Sequence, residues 1–213
     1  MQVLRPDFRS QKKFLLYEFL KKEVGDDTLG NFVTEIIYKK NAYIYQPPIV
    51  ENYIYEIVSG AVKLGGYSEK GEEYTYDIIH TGDFFGNLKY LNGQFSEYAK
   101  TLVDVKVRCY DLNFFKNEVK GNPEAAEWFF AYLTKRWCLA EKKLCKVNER
   151  SIIGKLNFLK TVYTIDVLDV KGKVHNIHCL LTQKDKGDLI GATRQTIANA
   201  LKNNQFTLDK IPG

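Results

Sequence analysis

Three side chains near the C-terminal end have the types and spacing to read base pairs. Arg194, Gln195 and Asn199 lie in a stretch where Ile197 and Leu201 are four residues apart. On a helix that spacing buries Ile197 and Leu201 and turns the three polar side chains outward. An arginine fork can bind guanine O6 and N7 bidentately, and an amide side chain can do the same for adenine N6 and N7. The residues before them have the grammar of a helix-turn-helix. Thr182, with Asp185 three residues on, can cap a first helix. Gly187 is small where two helices must cross closely, and Leu189 and Ile190 face the core. Gly191 falls at the turn, where only glycine takes a positive φ cheaply. Thr193 can cap the second helix. Lys186 departs from the pattern, standing where an apolar residue usually turns inward, and its stem is expected to snorkel. The set expected to meet DNA is Thr182, Gln183, Thr193, Arg194, Gln195, Thr196, Asn199 and Lys202. A plain helical hairpin is the alternative reading of the same stretch.

Charge supports an anionic partner. The chain has 213 residues and a net charge of +5, and four of those five charges fall in residues 148–213, which hold ten basic and six acidic side chains. A basic terminal segment is a common footprint of nucleic-acid binding. Composition is that of an ordinary globular protein, 45% hydrophobic and 27% charged. No apolar run approaches the roughly 18 residues of a membrane span. Met1 to Ser10 lacks the apolar stretch of a secretory signal. A cytoplasmic location and no membrane partner are therefore expected.

The elements that must position these residues are legible in outline. Residues 8–24 carry apolar side chains at helical spacing, with Gly25 as a stop, and read as one or two short helices. Residues 33–112 are rich in Val, Ile and Tyr with turns at short intervals, which indicates a sandwich, barrel or roll. Tyr53, Tyr55, Tyr74, Tyr76, Phe84 and Phe85 fall at strand alternation and are expected to fill a core or line an apolar pocket. Pro123 opens a long helix. Ala126, Phe129, Leu133, Trp137, Ala140, Leu144 and Val147 form a heptad-like seam along it. Trp128, Phe130 and Leu139 lie off that seam and are expected to pack on the strands. A dimer helix backed by its own domain explains both apolar faces; a buried helix in a monomer is the other reading. The expected interface is Phe129, Leu133, Trp137, Ala140, Leu144 and Val147. Beyond it, Ile152 to Val162 reads as a helix and Lys171-Gly172-Lys173 as a hairpin tip.

Enzymatic chemistry finds little footing. His80, His175 and His178 are the only histidines, and no nucleophile–base arrangement, phosphate loop or paired carboxylate motif accompanies them. Cys109, Cys138, Cys145 and Cys179 have no C-x-x-C spacing and read as reduced core thiols. No cofactor and no metal site is expected.

Taken together, the chain resembles the cAMP receptor protein and fumarate-nitrate regulator (Crp/Fnr) family of bacterial transcription factors. The resemblance runs over nearly the whole length. It is carried by Tyr55-Glu56-Ile57-Val58-Ser59-Gly60-Ala61-Val62, by Gly82-Asp83-Phe84-Phe85-Gly86, and by Leu181-Thr182-Gln183 through Asp188-Leu189-Ile190-Gly191 into Thr193-Arg194-Gln195-Thr196-Ile197. It implies an α+β fold: an N-terminal helix plus a double-stranded β-helix of the cyclic-nucleotide-binding type over residues 1–122, a dimerisation helix over 123–147, and a C-terminal winged helix-turn-helix over 148–213. It further implies a homodimer on a partly palindromic DNA operator, with RNA polymerase as another candidate partner. Residues 206–213 are all that is left for a wing, so a short wing is expected.

The same resemblance implies a degenerate ligand pocket. Cyclic-nucleotide-binding members continue the Gly-Asp-Phe turn with Gly-Glu-Leu and follow it with an Arg-Ser-Ala phosphate clamp. Here the counterparts are Gly86-Asn87-Leu88 and Ser96-Glu97-Tyr98, and the purine-facing part of the long helix offers Trp137, Ala140 and Glu141. A cyclic phosphate would be desolvated without a paired cation. No tight binding of cAMP or cGMP is expected, and the effector is left open. The alternative function is a ligand- or partner-binding sensory module with a vestigial helix-turn-helix.

Overall fold

The computed structural model describes residues 14–48, 52–90 and 96–208. The first six residues of the expected N-terminal helix lie outside them, as do residues 209–213. Helices α1 (Leu16–Val24) and α2 (Asp26–Leu29) are separated by Gly25, whose φ of 81° stops the first.

Eight strands then build a roll. They are β1 (Val33–Tyr38), β2 (Tyr43–Tyr45), β3 (Tyr53–Ser59), β4 (Ala61–Tyr67), β5 (Glu73–His80), β6 (Phe84–Phe85), β7 (Tyr98–Thr101) and β8 (Val105–Asp111). They pair antiparallel in two four-stranded sheets, ordered β1-β8-β3-β6 and β2-β7-β4-β5. Alternation turns Tyr55, Ile57, Val62, Leu64, Ile79, Phe85, Val105, Val107 and Cys109 into the space between the sheets. Tyr53, Tyr74 and Tyr76, expected inside, are instead more than a third exposed. Of the four cysteines only Cys109 is buried; Cys138, Cys145 and Cys179 are exposed.

Helix α3 (Leu112–Gly121) leads to α4 (Pro123–Val147), whose Asn122 side chain caps the amides of Glu124 and Ala125. The long helix has two distinct faces. Trp128, Phe129 and Tyr132 pack on the cluster formed by α1, Phe84, Tyr110 and Phe115. Phe130 (65% exposed), Leu133, Trp137 (68%) and Leu144 (64%) form an uncovered stripe on the other. Two assignments are thereby exchanged. Phe129 turns inward, its ring 5.5 Å from Phe115, and Phe130 takes its place in the seam. With Phe130, the seam 126, 130, 133, 137, 140, 144, 147 alternates four and three without a break.

The C-terminal part comprises α5 (Ile152–Tyr163), the hairpin β9 (Asp166–Leu168) and β10 (Val174–Asn176), then α6 (Ile177–Leu180), α7 (Gln183–Ile190) and α8 (Arg194–Leu208). Its core joins Leu156, Leu159, Tyr163, Ile177, Leu189, Ile190 and Ile197. Phe206 to Leu208, expected to begin a wing, continue the helix α8. The architecture is an N-terminal β-roll, a long helix and a C-terminal helical domain.

Candidate nucleic-acid interface and ligand pocket

The helix-turn-helix is built from local bonds. Thr182 Oγ1 accepts from the Asp185 amide at 3.1 Å while the Asp185 carboxylate accepts from the Thr182 amide at 3.0 Å, a reciprocal capping box. Gly191 sits in the left-handed region at φ 64°, and a Cβ on Gly187 would lie 2.5 Å from the Ala192 carbonyl oxygen. The two glycines let α7 and α8 close against each other. Thr193 caps α8 by accepting from the Thr196 amide at 3.1 Å. Ile197 is fully buried and Leu201 partly so.

The outward face holds the residues singled out from sequence. Thr182, Gln183, Thr193, Arg194, Gln195, Thr196, Asn199 and Lys202 are all exposed. Gln195 Nε2 donates to Asn199 Oδ1 at 2.9 Å, so the two amides present one ordered edge. Lys186 is partly buried, as a snorkelling stem would be.

The roll interior differs in character. Tyr45, Tyr55 and Phe85 stack with centroids 5.0–6.0 Å apart. The Tyr45 hydroxyl donates to Glu97, which therefore points into the roll. Burial pushes the Glu97 carboxyl up to about 7, against the Tyr45 hydrogen bond and the Arg136 charge that favour its ionised form. Ser96 is exposed, Tyr98 is buried, and Asn87 spends its side-chain oxygen on the Lys89 amide at 2.7 Å. Leu88 packs on the opposite cluster beside α1.

Sequence reasoning missed the cations that do approach the roll. Arg136 and Lys143 on α4 both reach Asp77 on β5, with Arg136 Nη2 at 2.6 Å. Asp77 also accepts from the Ile78 amide at 2.8 Å and from the Tyr163 hydroxyl at 3.4 Å. Burial alone would lower the Arg136 pKa, yet the Asp77 charge raises it overall. Lys143 is held below its usual value by burial, which Asp77 offsets only in part. The corrected seam register was the available signal, because it places Tyr132, Arg136, Leu139 and Lys143 together on the opposite face. Trp137, Ala140 and Glu141, expected at the purine, are exposed on the seam side, where Trp137 Nε1 donates to Glu141 at 2.8 Å. The Gly82–Gly86 turn is tied to α4 instead by Tyr132. Its hydroxyl accepts from the Phe84 amide at 2.8 Å and donates to the Phe84 carbonyl at 2.7 Å.

Comparison with known proteins agrees with this geometry. The cyclic nucleotide-binding domain family matches residues 35–122. A CRP-like cAMP-activated global transcriptional regulator of Mycobacterium tuberculosis is 25% identical over 70% of this chain and 66% of its own length. The match thus spans just under two thirds of that relative. The global nitrogen regulator of Synechococcus elongatus is 25% identical over 84% of this chain and 82% of its own. Residues 35–122 are a cyclic nucleotide-binding domain, and the relatives support a transcriptional regulator of the Crp/Fnr type. A Crp/Fnr-family transcriptional regulator from Eubacterium rectale has the same fold, with a TM-score of 0.66 over 91% of this chain and 88% of that one at 15% identity. The Crp/Fnr architecture accounts for the order of roll, long helix and helix-turn-helix. No helix among the described residues is long and apolar enough to cross a membrane.

Proposed function

We propose that this Crp/Fnr protein is a homodimeric, sequence-specific DNA-binding transcription regulator of the cytoplasm that does not respond to cAMP. The observation that carries the reading is the exposed edge of Arg194, Gln195 and Asn199 on a capped α8. In the proposed division, residues 1–122 sense, 123–147 dimerise and 148–213 bind the operator. The uncovered stripe Phe130, Leu133, Trp137 and Leu144 supports a second copy of α4 as its partner. Two-fold symmetry then sets two half-sites about one helical turn apart.

A cyclic nucleotide fits the roll poorly. Its phosphate would meet an inward carboxyl at Glu97. Arg136, the cation whose charge reaches Glu97, is already bound to Asp77. An anion there is desolvated without a free partner.

In-vitro selection of random duplexes at fixed salt, without and then with cAMP, tests both parts. Enrichment of a two-fold symmetric site without nucleotide is the expected outcome. Enrichment only with cAMP overturns the pocket argument. No enrichment under either condition favours a partner-binding module with an idle helix-turn-helix.

A further inference from the structure

The two amides on α8 behave as one group. At about 100° per residue, Gln195 and Asn199 fall on the side of α8 opposite Ile197, which is buried beside Ala200. The crest of the helix, which enters a groove first, is therefore amide, and Arg194 lies on its flank. Four residues apart, the two amides are neighbours on one face. Gln195 Nε2 donates to Asn199 Oδ1 at 2.9 Å. The turn that carries them is held by Thr193, whose hydroxyl accepts from the Thr196 amide at 3.1 Å and lies 2.9 Å from the Thr196 hydroxyl.

That bond fixes a polarity. A free carboxamide can turn over and exchange its donor and acceptor ends. Here the nitrogen of Gln195 is turned toward Asn199, and the oxygen of Asn199 toward Gln195. Left for a ligand are an acceptor, Gln195 Oε1, and a donor, Asn199 Nδ2. No other described residue bonds either atom. In the major groove adenine offers an N6 donor beside an N7 acceptor. Guanine offers two acceptors, thymine one acceptor and a methyl group, and cytosine one donor. An acceptor paired with a donor satisfies both atoms of adenine alone. Against guanine the Gln195 oxygen would face O6, acceptor against acceptor, and both would be desolvated without a partner. Arg194 carries donors only and suits guanine. Because the intramolecular bond already holds both amides, less rotamer freedom is lost when they meet a base.

We propose that Gln195 and Asn199 form a single composite reader of one adenine in each operator half-site, with Gln195 accepting from N6 and Asn199 donating to N7. Arg194 takes a separate guanine. This rests on the DNA-binding reading above and names the base that the crest of α8 selects.

The test is duplex selection, followed by affinity measurement at fixed salt, with the full-length protein and four variants: Gln195→Ala, Asn199→Ala, the two combined, and Gln195→Glu. Both positions are exposed, so the helix core is untouched. The unaltered protein should select adenine at one position of each half-site. Replacing that adenine should weaken binding about tenfold, tenfold being about 1.4 kcal/mol. Each alanine variant should lose preference at that same position. The combined variant should bind no more weakly than either single one, as members of one unit do. Gln195→Glu removes the donor to Asn199 and leaves an acceptor, so preference should move from adenine to cytosine. Lost preference at two different positions, with costs that multiply in the combined variant, overturns the composite reader. So does a Gln195→Glu protein that still prefers adenine. A selected half-site without a required adenine overturns the proposal while the regulator reading stands. If the unaltered protein enriches no duplex, the regulator reading fails and the proposal falls with it.

Discussion

At the residue scale, the side chain that departs most from its ordinary chemistry is Glu97. Its carboxyl is raised to about 7 chiefly by burial. A raised carboxyl contributes stability below its unfolded value of about 4.3 and loses it as pH climbs through the folded value. The melting temperature should therefore fall between roughly pH 4.5 and 7, and Glu97→Gln should flatten that slope and raise the melting temperature at pH 8. A Glu97→Gln variant whose pH profile matches the parent would place the carboxyl in water. Arg194 bears the opposite kind of prediction, since it is exposed and, in the proposed function, meets a base edge. Arg194→Ala should cost about 1–3 kcal/mol of duplex affinity and relax preference at one base position per half-site. Lys202→Ala should instead weaken all duplexes alike and reduce the salt slope by about one. Repeated selection with each variant separates the two effects. The outward set on α8 was legible in sequence because caps, glycines and the Ile197–Leu201 spacing are local. Glu97's inward turn was not, because its partner Tyr45 lies 52 residues away.

At the scale of elements, α4 carries two apolar faces, and a single residue decides which is which. Phe130→Ala should shift the proposed dimer toward monomer in sedimentation with little change in protomer stability, because the ring is 65% exposed in one chain. Phe129→Ala should do the reverse, lowering unfolding free energy by about 3 kcal/mol through lost aromatic packing. Equal effects at the two positions would refute the two-face description. The end of α4 is joined to the helix-turn-helix by Lys155. Its ammonium donates to the Val147 carbonyl at 2.6 Å, the last residue of α4, and to the Ile190 carbonyl at 3.2 Å, the last of α7. It thereby caps two helix ends whose carbonyls carry partial negative charge. Lys155→Met keeps the stem but not the donor, and should cost about 1–3 kcal/mol in chemical denaturation. The seam spacing was readable along the chain. The choice between adjacent phenylalanines was not, since both lie within one residue of the stripe and only the contact with Phe115 separates them.

For the whole molecule, the proposed sensing and DNA-binding parts meet at the surfaces that join the roll to the C-terminal half. Asp185 sits at the centre of one of them. Burial alone would raise its carboxyl, but hydrogen bonds from Lys63 and Thr182 and the Lys63 charge bring it below the usual value. A lowered carboxyl stabilises above its unfolded value of about 3.9 and loses that contribution as pH falls through the folded one. Contact between α7 and the roll should therefore persist at neutral pH and weaken only in strong acid. The Thr75 amide donates to Asp188 on α7 at 3.0 Å, and its exchange below pH 4 reads this. Nucleotide makes a second test at this scale. A ligand at a hundred times its dissociation constant would stabilise by about 2.7 kcal/mol. Millimolar cAMP should leave the melting temperature unmoved, and a clear rise would show that a cation does reach the phosphate.

Sequence alone determined the order of roll, long helix and helix-turn-helix, the capping of α7 and α8, and the departure of Asn87 and Glu97 from a nucleotide site. Each of these depends on neighbours within a few residues or on motifs read in line. Tertiary structure decided which face of α4 meets the roll, that Arg136 and Lys143 are consumed by Asp77, and that Thr75 and Lys63 hold α7. Those pairs are 59 to 122 residues apart. Their meeting follows from how two sheets and four helices close on shared cores, which no local pattern encodes.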